Sequence, residues 1–248
     1  MEERELRSRI VQGCRRAVIK VGSSLLVSLG RGLKLDFFDS LAQELAWLKG
    51  RGTEAILVSS GAIAAGMERL GRRERPRSIS HFQATAAIGQ GVLMHLYEEA
   101  FERQGEKVAQ VLLTHEDVKE RRRYLNARNT LFTLLEFGVI PIINENDSVA
   151  VEEIKFGDND ILAAMTAGLV EAHLLILLTD IEGLYRGKPG EGELLPLVER
   201  IDEEIEALAQ ESKTPVGIGG MATKLRAAKL AGRLGIPTIV AKGEVPGH

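Results

Sequence analysis

Ala17-Val18-Ile19-Lys20-Val21 runs directly into Gly22-Ser23-Ser24, an apolar β-branched stretch ending on three small residues. Such a run, too short for a helix and bounded by glycine, reads as a buried strand. The small residues beyond it leave backbone amides accessible, and amides at a turn feeding a helix hold anions. The same grammar recurs along the chain. Ala55-Ile56-Leu57-Val58 ends in Ser59-Ser60-Gly61-Ala62, and Val139-Ile140-Pro141-Ile142-Ile143 ends in Asn144-Glu145-Asn146-Asp147. Leu174-Leu175-Ile176-Leu177-Leu178 ends in Thr179-Asp180.

Strand-like runs near residues 17–21, 54–58, 107–113, 139–143, 173–178 and 236–241 alternate with helical patterns. The helical candidates are Asp36 to Lys49, His81 to Gln104, Glu116 to Phe137, Asp160 to Val170, Asp202 to Gln210 and Met221 to Leu234. That βαβ rhythm predicts an α/β protein, a three-layer αβα sandwich around a mainly parallel open sheet. It is read as one domain or two closely packed lobes. Ligands of such sheets bind in the crevice beyond the carboxyl ends of the strands, where the polar residues named above collect. Ser148 to Phe156 alternates apolar and polar residues and is expected to form a β-hairpin or flap over that crevice. Gly187 to Pro196 is expected to be an exposed loop.

Two lysines break local rules. Lys20 sits inside an apolar strand, where a buried ammonium needs an anionic partner. Asp160 and a bound phosphate are both candidates, and a stem snorkelling from an edge strand is the alternative. Gly217-Ile218-Gly219-Gly220-Met221-Ala222-Thr223-Lys224 reads as a glycine loop opening a helix, with Lys224 in its first turns. A cation there opposes the helix dipole unless an anion is bound. The cluster Asn144 to Asp147 with Asp158-Asn159-Asp160 is either a substrate or cation wall or a turn with helix caps.

Familiar nucleotide motifs fail. Counting from Gly217, Ala222 and Thr223 fall where a P-loop requires Gly and Lys, and neither H-R-D nor D-F-G occurs. No G-x-G-x-x-G pattern follows the first strand.

Composition narrows the remaining classes. With 44% hydrophobic and 27% charged residues, 248 residues can bury a sizeable core. The balance of 32 basic against 35 acidic residues, net −3, provides no footprint for nucleic acid or an anionic membrane. Arg121-Arg122-Arg123 reads as the solvated face of a helix. The lone Cys14 rules out an internal disulfide and a cysteine-rich zinc site, so the reducing cytoplasm is the expected compartment. His81, His95, His115, His173 and His248 lack metal-ligand spacing, and no metal site is expected of the chain. No run approaches the roughly 18 apolar residues of a membrane span, and Met1 to Leu6 lacks a signal core, so a soluble intracellular protein is expected.

The ordered set Ile19 to Ser24, Ser59 to Gly66, Ile143 to Asp147, Gly157 to Asp160 and Gly219 to Lys224, with Leu125-Asn126-Ala127-Arg128 between, resembles the glutamate kinases of the amino acid kinase family. The likeness spans nearly the whole chain. It implies ATP-dependent phosphorylation of the γ-carboxylate of L-glutamate, the first step of proline synthesis, with Mg²⁺ carried on the nucleotide. By the same resemblance Lys20 and Lys224 serve the transferring phosphoryl group, and Asp160 holds both lysines. Ser60, Asp147 and Asn159 fall on glutamate. Lys20, Thr179, Asp180 and Ile218, Gly219, Gly220, Met221, Ala222, Thr223 and Lys224 fall on ATP.

The resemblance divides a single domain, residues 1–248, into a part to about residue 170 for the amino acid and a part from about 171 for ATP. It also implies feedback inhibition by proline, a homo-oligomer, and γ-glutamyl phosphate reductase as the enzyme that follows. Many relatives carry a C-terminal PUA domain, and this chain is expected to be either a short form without one or a sequence cut before it. Ala222 stands where relatives often have serine. The same fold would also serve acetylglutamate, carbamate, aspartate or a nucleoside monophosphate as acceptor, or a nucleotide-binding regulator without turnover.

Overall fold

The computed structural model describes residues 3–28, 30–149, 159–211 and 220–243. Its helices are α1 (Glu3–Gln12), α2 (Ser23–Leu26), α3 (Leu35–Gly50), α4 (Ala62–Arg69), α5 (Ile79–Glu102), α6 (His115–Lys119), α7 (Arg121–Glu136), α8 (Asn159–Leu169), α9 (Glu203–Glu211) and α10 (Met221–Arg233). Its strands are β1 (Arg16–Val21), β2 (Val27–Ser28), β3 (Gly32–Leu33), β4 (Glu54–Val58), β5 (Val108–Leu113), β6 (Ile140–Glu145), β7 (Leu174–Thr179), β8 (Tyr185–Arg186), β9 (Glu193–Leu194) and β10 (Thr238–Lys242). Six strands form one sheet in the order β10-β7-β1-β4-β6-β5, every neighbour parallel. The expected α/β sandwich is thus present, and β1 lies at its centre.

Side chains of successive strand residues point to opposite faces, and the two cores follow that period. Ala17, Ile19 and Val21 of β1 join Leu57 and Ile142 in a core covered by α3, α4 and α5. Val18 joins Ile56, Val58, Ile143 and Leu175 against α7, α8 and α10. Lys20 shares the parity of Val18, so its stem leaves the sheet on the side of α8 and α10. A third cluster, Leu184, Ala209, Met221 and Leu225, packs α9 and the start of α10 near the β8-β9 ribbon.

One contact sets the geometry of the first layer. A Cβ on Gly66 would lie 1.9 Å from the Thr85 carbonyl oxygen, and one on Gly89 would lie 1.7 Å from that of Ala62. Only glycine at both places lets α4 and α5 approach backbone to backbone. That approach brings the long helix α5 alongside the turn at the end of β4, where Gly61, at φ 92°, adopts the left-handed conformation and caps α4.

Two expectations change in detail. The single helix expected from Glu116 to Phe137 is broken at Glu120, whose extended backbone (φ −78°, ψ 120°) separates α6 from α7. Its carboxylate accepts from Arg122 N and Arg123 N at 3.0 and 2.9 Å, capping α7 beneath the exposed arginine run. The exposed loop expected from Gly187 to Pro196 contains β9, which pairs antiparallel with β8. Of the expected flap, Ser148 and Val149 are described and the rest lies outside the described residues. Among the described residues, no helix is long and apolar enough to cross a membrane.

Candidate functional site

At the carboxyl edge of the central strands, charges from three elements meet. Lys20 is the last-but-one residue of β1, Asp160 the second of α8 and Lys224 the fourth of α10. Their side chains are 7%, 1% and 5% exposed. Lys20 Nζ lies 2.7 Å from Asp160 Oδ1, and Lys224 Nζ lies 3.2 Å from Asp160 Oδ2. The Thr223 hydroxyl donates to the same Oδ2 at 2.7 Å.

Burial by itself would raise the Asp160 carboxyl pKa. The Lys20 and then the Lys224 ammonium outweigh burial and hold it down to about 2. The dipole conflict at Lys224 is therefore relieved by a carboxylate of the protein itself. The edge-strand alternative for Lys20 falls, because β1 is flanked by β4 and β7, with Lys20 in register with Val58 and Leu177.

The surroundings suit an anion held against these ammonium groups. A Cβ built on Gly22 would lie 3.9 Å from Lys20 Nζ, so the ammonium sits over backbone rather than over a side chain. Gly220 caps α10 in an extended conformation (φ −91°, ψ −175°) without a side-chain hydrogen bond to the helix amides. Thr179 ends β7, is 6% exposed, and donates from Oγ1 to Asp180 Oδ1 at 3.0 Å.

Beside this centre lies an amide shell. Asn159, 6% exposed, donates from Nδ2 to the Ser59 carbonyl at 2.7 Å, to Asn144 Oδ1 at 2.8 Å and to Ser60 Oγ at 3.1 Å. Its Oδ1 is buried and, among the described residues, meets no hydrogen-bond donor. An unsatisfied buried carbonyl costs about 1–3 kcal/mol, which a ligand N–H would recover. Asp147 follows two residues after the end of β6, and its carboxyl pKa is pushed up to about 7, chiefly by burial and then by the Glu145 carboxylate. An arriving cation would reverse that shift. Asn159, one residue along the chain from the lysine-binding Asp160, thus offers an acceptor oxygen, and Asp147, beyond β6, offers a carboxyl ready to ionise. An ammonium-bearing ligand beside a phosphoryl group fits that pattern.

A profile of the amino acid kinase family matches residues 15–242, from the start of β1 to the end of β10. The chain belongs to the amino acid kinase family. Among its relatives are the glutamate 5-kinase of Geobacter metallireducens, 54% identical over 98% of this chain and 66% of its own length, and that of Geobacter sulfurreducens, 53% identical over 97% and 65%. The glutamate 5-kinase of Myxococcus xanthus is 51% identical over 96% of this chain and 64% of its own. The chain therefore spans just under two thirds of the length of these relatives.

For an amino acid kinase fold, the residues expected from sequence gather unevenly. Lys20, Asp160, Thr223 and Lys224 form one bonded group, and Ser60 and Asn159 form another around Asn144. Gly220, Met221 and Ala222 open α10, with Met221 turned into the third core and Ala222 exposed. Asp180 is exposed at the mouth of β7. Ile218 and Gly219, like Asp158, lie outside the described residues.

Sequence reasoning gave no role to Ser59, whose hydroxyl lies 2.9 Å from that of the fully buried Tyr97, nor to Gln90. The available signal was position. Gln90 interrupts the stripe of buried residues Ala86, Leu93, Tyr97, Ala100 and Phe101 at helical spacing on α5.

Proposed function

We propose that this chain transfers the terminal phosphoryl group of ATP to the γ-carboxylate of L-glutamate, giving γ-glutamyl phosphate and ADP, the first step of proline synthesis. The observation that carries this reading is the meeting of Lys20, Lys224 and Thr223 on Asp160 at the carboxyl edge of the sheet. The name shared by the relatives supports the acceptor. An oxygen of the γ-carboxylate attacks phosphorus, the new O–P bond forms, and the bond to the ADP oxygen breaks with its electron pair leaving on ADP. The attacking carboxylate is already ionised near neutral pH, so no general base is needed. Catalysis then rests on positioning and on neutralising charge at the transferring group. Lys20 approaches that group from β1 and Lys224 from α10, with Asp160 fixing the distance between them.

ATP lies along the carboxyl ends of β1, β7 and β10, with its phosphates toward the start of α10 and with Thr179 and Asp180 beside it. Glutamate lies toward β4, β6 and α8. Mg²⁺ would be held by the nucleotide phosphates and would neutralise part of their charge. Asp160 fits no metal role, since both its oxygens already face ammonium or hydroxyl groups, and among the described residues no three His, Cys, Asp or Glu side chains form a metal cluster. The glutamate ammonium takes Asn159 Oδ1 and the Asp147 carboxylate, while Ser60 and the amides opening α4 face its α-carboxylate. That pairing favours a free amino acid over acetylglutamate, whose acylated nitrogen carries no charge to stabilise ionised Asp147. Proline, with its own ammonium and carboxylate, competes for the same shell, and self-association and supply of a γ-glutamyl phosphate reductase complete the reading.

The acceptor is tested by ADP release across glutamate, acetylglutamate, aspartate and carbamate, with and without proline. Glutamate alone should stimulate release. Stimulation by another acceptor with none by glutamate would reject the assignment.

The Asp147 carboxyl gives a pH signature. Ammonium binding needs its ionised form, which disappears as pH falls through about 7. The KM for glutamate should therefore rise several-fold from about pH 8 to about pH 6, with kcat changing less. In Asp147→Asn the KM should be raised at least about tenfold at the upper pH and lose that dependence. A variant KM equal to the wild-type value would remove Asp147 from the acceptor site.

A further inference from the structure

We infer that Gln90, on α5, is a positioning residue for the acceptor shell, acting through Asn144 on Asn159; this deepens the reading above and rests on it. Asn144 Nδ2 donates to Gln90 Oε1 at 2.7 Å. Asn144 Oδ1 in turn accepts from Glu145 N at 2.9 Å and from Asn159 Nδ2 at 2.8 Å.

The direction of this chain is fixed by backbone at both ends. A backbone N–H only donates, so the Asn144 atom facing Glu145 N is its oxygen. The Ser59 carbonyl only accepts, so the Asn159 atom 2.7 Å from it is its nitrogen. With both amides so oriented, Asn159 is left presenting its buried Oδ1, which no donor among the described residues meets. Reversing either amide would set two acceptors or two donors against each other.

Glu145 N and Asn159 both hold Asn144 at its oxygen, so those two bonds alone leave the amide free to pivot about that atom. Gln90 grips the opposite end and fixes the plane. The bond spans the first layer of the sandwich, from α5 to the end of β6, and depends on the glycine contact at Gly89, one residue before Gln90. Two turns further along α5, Tyr97 reaches Ser59, whose carbonyl anchors Asn159. The same face of α5 thereby supports both fixed points of the amide shell. Gln90 need not touch the ligand for this role.

The test compares Gln90→Leu and Gln90→Glu with the wild type in kcat and in the separate KM values for glutamate and ATP. Leucine leaves Asn144 Nδ2 without its acceptor, whereas glutamate at this position keeps an acceptor oxygen. For Gln90→Leu the glutamate KM should rise about tenfold, with the ATP KM within about twofold and kcat within about threefold of wild type. Gln90→Glu should return the glutamate KM to within about threefold of wild type.

An unchanged glutamate KM in Gln90→Leu overturns the inference. So does a parallel rise in the ATP KM, which marks general loosening of the fold, or a failure of Gln90→Glu to rescue. If the wild type instead responds to a different acceptor of the panel, the glutamate assignment fails and the Gln90 inference is judged on the KM of that acceptor. If no acceptor stimulates the wild type, both fall.

Discussion

Replacing Lys224 by methionine should lower kcat at least about 10²-fold while the protein stays folded. Methionine keeps most of the volume of the lysine stem, and Asp160 retains Lys20 at 2.7 Å and the Thr223 hydroxyl at 2.7 Å, so no buried carboxylate is left alone. The loss falls on the reacting group. A unit charge about 4 Å from a phosphoryl oxygen at an effective dielectric of about 20 is worth roughly 4 kcal/mol. Half of that, expressed only in the transition state, already corresponds to about 30-fold in rate, and the missing N–H bond adds to it. The KM for ATP should change less, because backbone amides and the β7 end still hold the nucleotide. Steady-state kinetics with a circular dichroism check decide the matter; a kcat within about threefold of wild type would contradict the role given to Lys224.

Asp160→Asn should be the most destabilising of the polar substitutions in the site. It removes the carboxylate beside two ammonium groups whose side chains are 7% and 5% exposed. Breaking a buried ion pair by removing one partner costs about 3–5 kcal/mol, because the remaining charge stays buried. Urea unfolding should show that loss together with a fall in activity, since the lysines lose the group that spaces them. Unfolding free energy within about 1 kcal/mol of wild type would refute this account of the cluster. The pH signature has a definite sign. The Asp160 pKa in the folded chain is about 2, below the ordinary carboxylate value. Its contribution is therefore present above the unfolded-state value near 4 and is lost as pH falls through about 2. The variant should lack that acid-limb slope.

Much of this was legible in sequence because it rests on short-range rules. The β-branched run from Ala17 to Val21 predicted a strand, and a lysine inside it predicted a buried anion. A lysine four residues into a helix predicted a second one. What these short-range rules left open, and only the family resemblance supplied, was that one carboxylate serves both, since Asp160 reaches Lys20 and Lys224 only through the order of the sheet. That order also decided between a central and an edge position for β1.

Elsewhere the limits were local. The break at Glu120 competes with a helical pattern that continues across it, and its local signal is the capping of α7 by the Glu120 carboxylate. Gln90 was invisible in function because an amide on a helix acquires a role only when a neighbouring strand ends against it. The close approach of Gly66 and Gly89 to carbonyls of the facing helix is likewise a property of two helices together, not of either sequence.

The central claim is that lysines from β1 and α10 assist phosphoryl transfer to the side-chain carboxylate of glutamate. Its most direct measurement is trapping of the product with hydroxylamine, which displaces phosphate from an acyl phosphate and leaves a hydroxamate. Wild-type protein with ATP, Mg²⁺ and glutamate should form γ-glutamyl hydroxamate in step with ADP, and Lys224→Met should form it at least about 10²-fold more slowly. ADP release without hydroxamate, or equal hydroxamate from both proteins, would contradict the account.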